Sequence, residues 1–326
     1  MRTRIRWLRV TIVTLLFLTS FPLPKSVSQE LRQPDPRWNM SVDLARGLIN
    51  QAHPGRDLTP ESWPGGKRVA VALTFDLDAE LVWLRYPETA SPSKVSRGHY
   101  GARAALARIL ALLEKRQIPA TFFFPAMILK LHPDAVASIR RSKLHEIGYH
   151  GYAHEAVGTL TEAQERDAMT RGLQLFREAG IQPKVYRSPS WDFSPATLRL
   201  LKEFGFRFDS SLMADDRPYE ILEHGTPSGV IELPVDWSKD DWPYFQLEWE
   251  APLPGLRSPG EVFEIWREEF EGIRSEGGLF ILTMHPQVIG HWNRLRMLER
   301  LLDHLDASGD AWYATLGSIG EHLQKP

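Results

Sequence analysis

The chain has 326 residues, of which 43% are hydrophobic and 25% are charged, and its formal net charge is −2. This is the composition of an ordinary globular protein, and the length suits one large domain or two smaller ones. Because the charges nearly balance and no long basic run occurs, a nucleic-acid partner is not expected.

The first 28 residues have the layout of a secretory signal peptide. An apolar stretch over residues 10–23 is too short for a comfortable membrane span, and small residues at 26 and 28 suit a signal peptidase. The basic residues in front of it are Arg2, Arg4, Arg6 and Arg9. The alternative is a buried helix. We predict an exported protein, periplasmic or extracellular, without a stable membrane span once the signal is removed.

An exported chain without cysteine has no disulfides, so a sizeable core must hold it together. Residues 29–66 are rich in Pro, Asp, Arg and Trp and show one helical pattern, near 41–51. We interpret them as an N-terminal extension that wraps a domain over residues 67–326.

From residue 67 onward, short apolar runs alternate with amphipathic helical patterns. In chain order we predict a strand over 68–76, a long loop, a helix over 102–115, a strand after Pro119, a strand over 146–149, a helix over 161–180, a strand ending at Arg187, a helix opening at Ser194, strands over 206–209 and 230–235, a helix capped by Ser258, a strand over 278–286, a helix over 293–305, a strand over 311–315 and a last short helix. Thr161 with Gln164, and Ser258 with Glu261, have the spacing of capping boxes.

Repeated strand and helix units with continuously apolar strands indicate parallel pairing with helices outside. We therefore predict an α/β fold, an irregular or incomplete (β/α) barrel of about seven strands. In such a fold, active residues lie at the carboxyl ends of the strands. The candidates at strand ends are Asp76, Asp78, His150, His154, Arg187, Trp191, Asp236, Trp237 and His285.

The stretch TFDLD, residues 74–78, ends an apolar strand with two carboxylates that point to the same face. Like charges held this close repel unless a cation or an arginine lies between them. The alternative is a solvated strand end.

In HGYAH, His150 and His154 are four apart, which places both imidazoles on one face of a helical turn. Two histidines with Asp78 or Asp76 leave one position open, as in catalytic zinc sites, and the other aspartate remains as a base.

Five stretches in order resemble the motifs of the polysaccharide deacetylases, also called the NodB-homology or carbohydrate esterase four family: TFDLD, HGYAH, RSPSW, ELPVDW and LTMHP. The resemblance covers residues 67–320. The form TFDLDAE resembles the branch with peptidoglycan deacetylase-like and allantoinase-like proteins.

The resemblance implies a role for each motif residue. Asp76 matches the catalytic base, and Arg187 matches the arginine that positions it, with Asp236 as the partner of that arginine. His285 matches the general acid. The metal ligands implied are Asp78, His150 and His154, and the walls of the acyl pocket are Trp191, Trp237 and Leu282. The implied cofactor is a divalent metal, zinc first, with cobalt or another ion as alternatives.

Two departures from the family pattern matter. Gly151 stands where Ser or Thr is usual, and the tight spacing of Asp236 and Trp237 leaves Asp240 or Asp241 as alternative partners of Arg187.

Three functional hypotheses follow. The first is an exported, metal-dependent amidase that removes N-acetyl groups from a polysaccharide or peptidoglycan. The second is an allantoinase-like hydrolase of small cyclic amides, which a short, walled pocket would favour. The third is a carbohydrate-binding homologue without turnover. Retention of base, ligands and acid together argues against the third. The sequence leaves open whether the protein forms a homo-oligomer.

The signal-like segment predicts cleavage close to Gln29 when the protein is made in its native host. Mass spectrometry of the secreted or periplasmic protein should therefore find an amino terminus near that residue. Recovery of the intact chain from Met1 in the cytosol would contradict the prediction.

Overall fold

The computed structural model describes residues 39–247 and 256–325. The predicted signal peptide and residues 29–38 of the predicted extension lie outside them. The chain divides into two compact units, Met1–Ala45 and Arg46–Pro326. Of the first unit only residues 39–45, which include the start of one helix, are described. No helix in the described ranges has both the length and the apolar character needed to cross a membrane.

The core of the second unit is a sheet to which the described residues contribute ten strands. Their bounds are β1 His53–Asp57, β2 Val69–Asp76, β3 Ala120–Phe124, β4 Glu146–Tyr149, β5 Val185–Tyr186, β6 Phe208–Asp209, β7 Tyr219–Glu223, β8 Thr226–Glu232, β9 Gly278–Met284 and β10 Ala311–Tyr313.

Seven strands pair in parallel in the order β9-β2-β3-β4-β5-β6-β8. Strand β10 pairs in parallel with the first half of β2, whereas β7 and β1 extend the sheet beyond β8 in antiparallel fashion. A bridge between Asp240 and Thr283 joins the chain after β8 to β9 at the other end of the order. The predicted incomplete barrel of about seven parallel strands is confirmed.

The described residues also form thirteen α-helices. Their bounds are α1 Val42–Ile49, α2 Leu81–Leu84, α3 Pro92–Tyr100, α4 Leu106–Arg116, α5 Ile128–Leu131, α6 Pro133–Arg141, α7 Glu162–Glu178, α8 Thr197–Glu203, α9 Trp242–Phe245, α10 Pro259–Glu276, α11 Pro286–Ile289, α12 Trp292–Ser308 and α13 Leu316–Leu323. The capping boxes predicted at Thr161 and Ser258 are both confirmed, and they fix where α7 and α10 begin.

The predicted long loop between residues 76 and 102 is wrong, because the segment contains α2 and α3. Helix α3 begins with Ser91 as N-cap and Pro92 in its first turn, and a π-helical turn over Gly101–Ala105 continues it into α4. Its predominantly polar sequence explains why hydrophobic periodicity did not reveal it.

The central strands are apolar because they are covered on both faces. Every residue of β2, β3 and β9 is buried, and the rings of Phe75 and Phe122 stack with centroids 5.1 Å apart. Complete burial of each such side chain contributes about 1.5–3 kcal/mol to folding. This core fixes the carboxyl ends of the strands, where the candidate residues lie.

Helix α3 packs unusually close to the backbone that follows Asp78. A Cβ at Gly98 would lie 2.4 Å from the carbonyl carbon of Ala79 and from the amide nitrogen of Glu80. Ala79 itself has a φ of 47°, in the left-handed region. The absence of a side chain at Gly98 therefore sets the path of the chain beside Asp78.

We expect Gly98→Ala to lower the free energy of unfolding by about 1–3 kcal/mol, because the added methyl group overpacks rigid backbone. Gly272→Ala in α10 is the matched control, since a Cβ there meets no atom within 4 Å. It should be neutral or stabilising by up to about 1 kcal/mol. Chemical denaturation measures both variants, and equal effects would contradict this account of α3.

Candidate active site

A cavity of about 230 Å³ opens at the carboxyl end of β2. It collects residues from several strand ends that are far apart in sequence, as expected for a barrel of this kind. Among the described residues its lining consists of Asp76, Asp78, Val82, Arg85, His150, His154, Ser190, Trp191, Trp237, Asp240, Trp242 and His285. Most of the predicted site residues are therefore brought together.

Asp78, His150 and His154 form a group with the character of a metal site. The Nε2 atom of His150 lies 3.5 Å from Asp78 Oδ1, and that of His154 lies 3.8 Å from Asp78 Oδ2. Both carboxylate oxygens of Asp78 are buried without a hydrogen-bond donor. Nδ1 of His150 donates to the backbone oxygen of Arg187 at 2.8 Å, which leaves its Nε2 lone pair facing Asp78.

The protonation states of this group also suit a cation. Burial lowers the pKa of His150 to about 4 and that of His154 well below its ordinary value, so both imidazoles are neutral ligands. Burial also raises the pKa of Asp78 to about 8; the charge of His285 opposes this, and nearby carboxylates reinforce it. A bound divalent ion would stabilise the ionised form of such a carboxylate. The residues present therefore fit a divalent metal.

The segment between the two histidines is a loop, not the predicted helical turn. Gly151 has a φ of 77°, and His154 has a φ of 61°. The carboxylate of Glu155 accepts hydrogen bonds from the backbone nitrogens of Tyr152 and Ala153 at 2.8–3.0 Å. Glu155 thus stabilises a loop in which Gly151 replaces the usual hydroxyl residue.

Arg187 is fully buried and holds Asp76. Its Nη1 donates to Asp76 Oδ1 and to Thr74 Oγ1, each at 2.9 Å, and the rest of the guanidinium donates to the backbone and side-chain oxygens of Ser210. Burial alone would raise the pKa of Asp76, but the charge of Arg187 outweighs it and holds that pKa below its ordinary value. Asp76 is therefore ionised.

The structure does not bring Asp236 to this arginine, contrary to the expectation from its motif. The Asp236 carboxylate accepts a hydrogen bond from the backbone nitrogen of Ser238 at 2.6 Å and caps a short 3-10 turn. The alternatives considered from sequence, Asp240 and Asp241, lie beside His285 instead. The ionic partner of Arg187 is Asp76 itself.

His285 is paired with two carboxylates. Its Nδ1 lies 2.7 Å from Asp241 Oδ1 and 3.7 Å from Asp240 Oδ1, and its Nε2 points toward Asp78 Oδ2 at 3.8 Å. Burial would lower the pKa of His285, but Asp240 and Asp241 outweigh it and raise that pKa to about 10. His285 is thus protonated at neutral pH and can donate a proton.

Asp240, Asp241 and His285 form a second group with the residue types of a metal site, but its oxygen atoms already accept hydrogen bonds. Both oxygens of Asp241 already accept from the backbone nitrogen of His285, and Asp240 accepts from the backbone nitrogen of Trp242. The group of Asp240, Asp241 and His285 is therefore a hydrogen-bonded ionic cluster, whereas the Asp78 oxygens have no such donors.

Tryptophans line the mouth of the cavity. The Trp191 and Trp237 rings lie 4.2 Å apart, and the Trp242 ring lies 5.0 Å from that of His285. Leu282 is completely buried within β9 and is not among the lining residues in the described part of the chain. Arg85 and Trp242 are lining residues that sequence reasoning missed. The signal for Trp242 was the second Asp-Trp pair, Asp241-Trp242, five residues after the first.

A second carboxyl pair lies beneath Arg187. Asp209 and Glu232 are cross-strand partners on β6 and β8, both are fully buried, and Asp209 Oδ2 and Glu232 Oε2 have no hydrogen-bond donor among the described residues. Burial raises the pKa of Asp209 to about 6 and that of Glu232 well above its ordinary value. Two buried carboxyl groups whose pKa values are both raised in this way favour a state in which one of them keeps a proton.

This carboxyl pair supports the segment that holds Arg187. The backbone nitrogens of Ser211 and Leu212 donate to Glu232, and Ser211 Oγ donates to Asp209. Ser210, which lies between Asp209 and Ser211 in the chain, accepts two hydrogen bonds from Arg187.

Comparison with known proteins identifies a family for the chain. A family model described as polysaccharide deacetylase matches residues 65–208. A peptidoglycan deacetylase of Helicobacter pylori is 29% identical over 286 residues, covering 79% of this chain and 97% of that protein. A crystal structure assigned to the polysaccharide deacetylases, from Mycobacterium smegmatis, is 38% identical with a TM-score of 0.76 and covers 82% of this chain and 93% of its own. The allantoinase PuuE is 26% identical with a TM-score of 0.68, covering 82% and 96% of the two chains.

The carboxyl pair beneath Arg187 predicts a pH dependence of stability. Folding raises the pKa of both groups, so their contribution to stability is complete below the ordinary values, 3.8 for Asp209 and 4.5 for Glu232, and is lost as pH rises through the folded values, about 6 for Asp209. Glu232→Gln replaces one of these titrating groups with an amide that can donate to Asp209. The stability of the parent relative to this variant should fall with rising pH, by up to about 1.4 kcal/mol per pH unit. Urea denaturation across this range measures it, and a flat difference would show that folding raises neither pKa.

Proposed function

Because this chain belongs to the polysaccharide deacetylase family and is a hydrolase of carbon-nitrogen amide bonds, we propose that it removes N-acetyl groups from an amino sugar of a polysaccharide, with peptidoglycan as the first candidate. The observation that carries the proposal is the arrangement of Asp78, His150 and His154 beside an ionised Asp76 and a protonated His285 in one cavity. This arrangement provides metal ligands, a base and an acid together.

We further propose that the protein acts outside the cytoplasm. The signal-like first 28 residues support export, and the polymer on which the H. pylori relative acts, by its name, is a cell-wall polymer. In this proposal residues 67–326 form the catalytic domain. The preceding extension, residues 29–66, contributes β1 to its sheet.

Asp78, His150 and His154 are the proposed ligands of a divalent ion, with zinc first among the candidates. When bound, such an ion supplies Lewis acidity to the acetamide carbonyl and to water. Two observations support this assignment. The carboxylate oxygens of Asp78 have no hydrogen-bond donor from the residues that the structure describes, and Nδ1 of His150 donates to the backbone oxygen of Arg187, which leaves Nε2 as the free ligand atom.

Asp76 is the proposed general base. Its ionised carboxylate, held by Arg187, accepts a proton from the water whose oxygen attacks the carbonyl carbon of the acetamide. Arg187 is a positioning residue in this step, since it contacts Asp76 rather than the reacting atoms. The fixed orientation of Asp76 removes the need for reorganisation during proton transfer.

His285 is the proposed general acid. Breaking the carbon-nitrogen bond releases an amine, which leaves readily only when its nitrogen is protonated. The imidazolium Nε2 faces the cavity, while Nδ1 is held by Asp241, so the proton at Nε2 is the one available for the leaving nitrogen. Acetate and a free amino sugar are the products.

A second candidate is the hydrolysis of a small cyclic amide on the same residues. The small volume of the cavity, about 230 Å³, and the likeness to PuuE favour it. Assay of the zinc-loaded or cobalt-loaded protein against N-acetylated glycans and cyclic amides distinguishes the two candidates, since the first releases acetate and the second opens a ring. Ring opening without acetate release would overturn the proposed deacetylation.

The two aspartates of TFDLD should respond differently to substitution. Asp76→Asn should keep bound metal but lose about 100-fold to 10,000-fold in turnover, because an amide cannot accept the proton. Asp78→Asn should lose metal, since a neutral amide oxygen is a poorer ligand than a carboxylate.

Metal content and kinetics on the purified variants measure both effects. Asp236→Asn is the matched control, because that carboxylate lies away from Arg187 and should leave metal content as in the parent. A metal-free Asp76→Asn with a metal-replete Asp78→Asn would show that the roles are reversed.

A further inference from the structure

Trp237 stands at the mouth of the cavity with much of its ring in solvent. Its side chain is 44% exposed, whereas that of Trp191, which packs against it, is 6% exposed. The two rings are tilted by 38°. Trp191 therefore belongs to the interior wall, and Trp237 extends that wall outward beyond the cavity.

The exposure of Trp237 does not arise from a loose segment. It begins a short 3-10 turn, and the backbone oxygen of the next residue, Ser238, accepts hydrogen bonds from Trp266 Nε1 at 3.0 Å and from the Tyr244 hydroxyl at 3.1 Å. The Ser238 hydroxyl donates to Glu269 at 3.1 Å. The indole is thus presented on a fixed support, which lowers the entropy cost of binding a ligand to it.

The segment that carries Trp191, against which Trp237 packs, is also held in an uncommon conformation. Ser190 and Trp191 have φ values of 57° and 55°, in the left-handed region that non-glycine residues seldom adopt. Arg85 donates to Ser190 Oγ at 3.2 Å and to the backbone oxygen of Glu155 at 2.8 Å. Strain of this kind persists where the surroundings over-determine it and clusters at ligand-binding positions.

We propose that Trp237 is a stacking platform for the sugar next to the one whose acetamide enters the cavity, so that the substrate is a glycan chain of at least two residues. This inference rests on the proposed function and deepens it. The face of an indole is electron-rich, and the C–H groups on one face of a pyranose ring are complementary to it. A platform outside a small cavity suits a chain that continues beyond the reacting sugar.

Trp237 thereby receives a role different from that of an acyl-pocket wall. A wall of the acyl pocket contacts the acetyl group of every substrate, whatever its length. A platform contacts only substrates that extend past the cavity. The two roles predict different dependence on chain length.

The test compares Trp237→Ala with the parent on N-acetylglucosamine and on its β-1,4-linked oligomers. We expect the ratio of kcat/KM for oligomer over monomer to fall about tenfold, equivalent to about 1.4 kcal/mol, and the change to lie mainly in KM. Trp237→Phe, which keeps an aromatic face, should restore part of the ratio. An equal loss on monomer and oligomer, or no loss on either, would overturn the proposal.

Trp292→Ala is the matched control. Trp292 is 69% exposed, but it lies under the Arg108 guanidinium at 3.8 Å and is not a lining residue of the cavity. The ratio should be unchanged in this variant. If it falls as in Trp237→Ala, loss of any surface indole explains the effect and the platform is refuted.

A binding measurement separates this proposal from the proposed function. Calorimetric titration of oligomer into Asp76→Asn and into Asp76→Asn with Trp237→Ala needs no turnover, and the second variant should bind about tenfold more weakly. Equal affinities, or no binding to either variant, would overturn the platform. Failure of the parent to release acetate from any glycan would overturn the proposed function instead.

Discussion

The hydrogen-bonded ion pair between Arg187 and Asp76 is the interaction on which the arrangement of the site depends. Removing two charges from water costs several kcal/mol for each ion unless their remaining hydrogen-bonding groups are satisfied. Here the guanidinium also bonds Thr74 and Ser210 and lies 4.3 Å above the ring of Phe123. Strands β2, β5 and β6 are therefore tied together at their carboxyl ends by one side chain.

The buried carboxyl groups in and below the site have three different kinds of surroundings. Asp76 is compensated by a permanent cation, Arg187, whereas Asp78 faces two neutral imidazoles and its oxygens have no hydrogen-bond donor among the described residues. Asp209 and Glu232 have no donor beside their free oxygens in the described ranges, and burial raises the pKa of both. Carboxyl groups of similar intrinsic acidity thus acquire different pKa values because the charges and donors around them differ.

Sequence reasoning predicted the parts of the structure that strong local patterns encode. Apolar runs located the parallel strands, and the hydroxyl caps at Thr161 and Ser258 located two helix starts. Strand β1, His53–Asp57, carries no alternation and joins the sheet through backbone pairing with β7, so no pattern marked it. Leu282 lies on a strand buried on both faces, where alternation cannot show which side chains reach the cavity.

The site was predictable where the residue type itself restricts the chemistry. Asp76, Asp78, His150, His154 and His285 converge as expected at strand ends. The partners of Arg187 and His285 were not predictable, because Asp236, Asp240 and Asp241 lie within six residues of each other and only the turn at Trp237–Lys239 decides which of them face the cavity.

The bridge between Asp240 and Thr283 gives the incomplete barrel a further property. It joins the segment after β8 to β9, and the same residue, Asp240, lies beside His285. The segment over residues 233–241 therefore both closes this side of the sheet and supplies the two carboxyl groups, Asp240 and Asp241, that raise the pKa of His285. Asp78, His150 and His154 are instead carried by the chain just after β2 and by the loop after β4. An insertion or deletion along this segment would therefore change the surroundings of His285 directly, whereas its effect would reach His150 and His154 through His285 and Asp78.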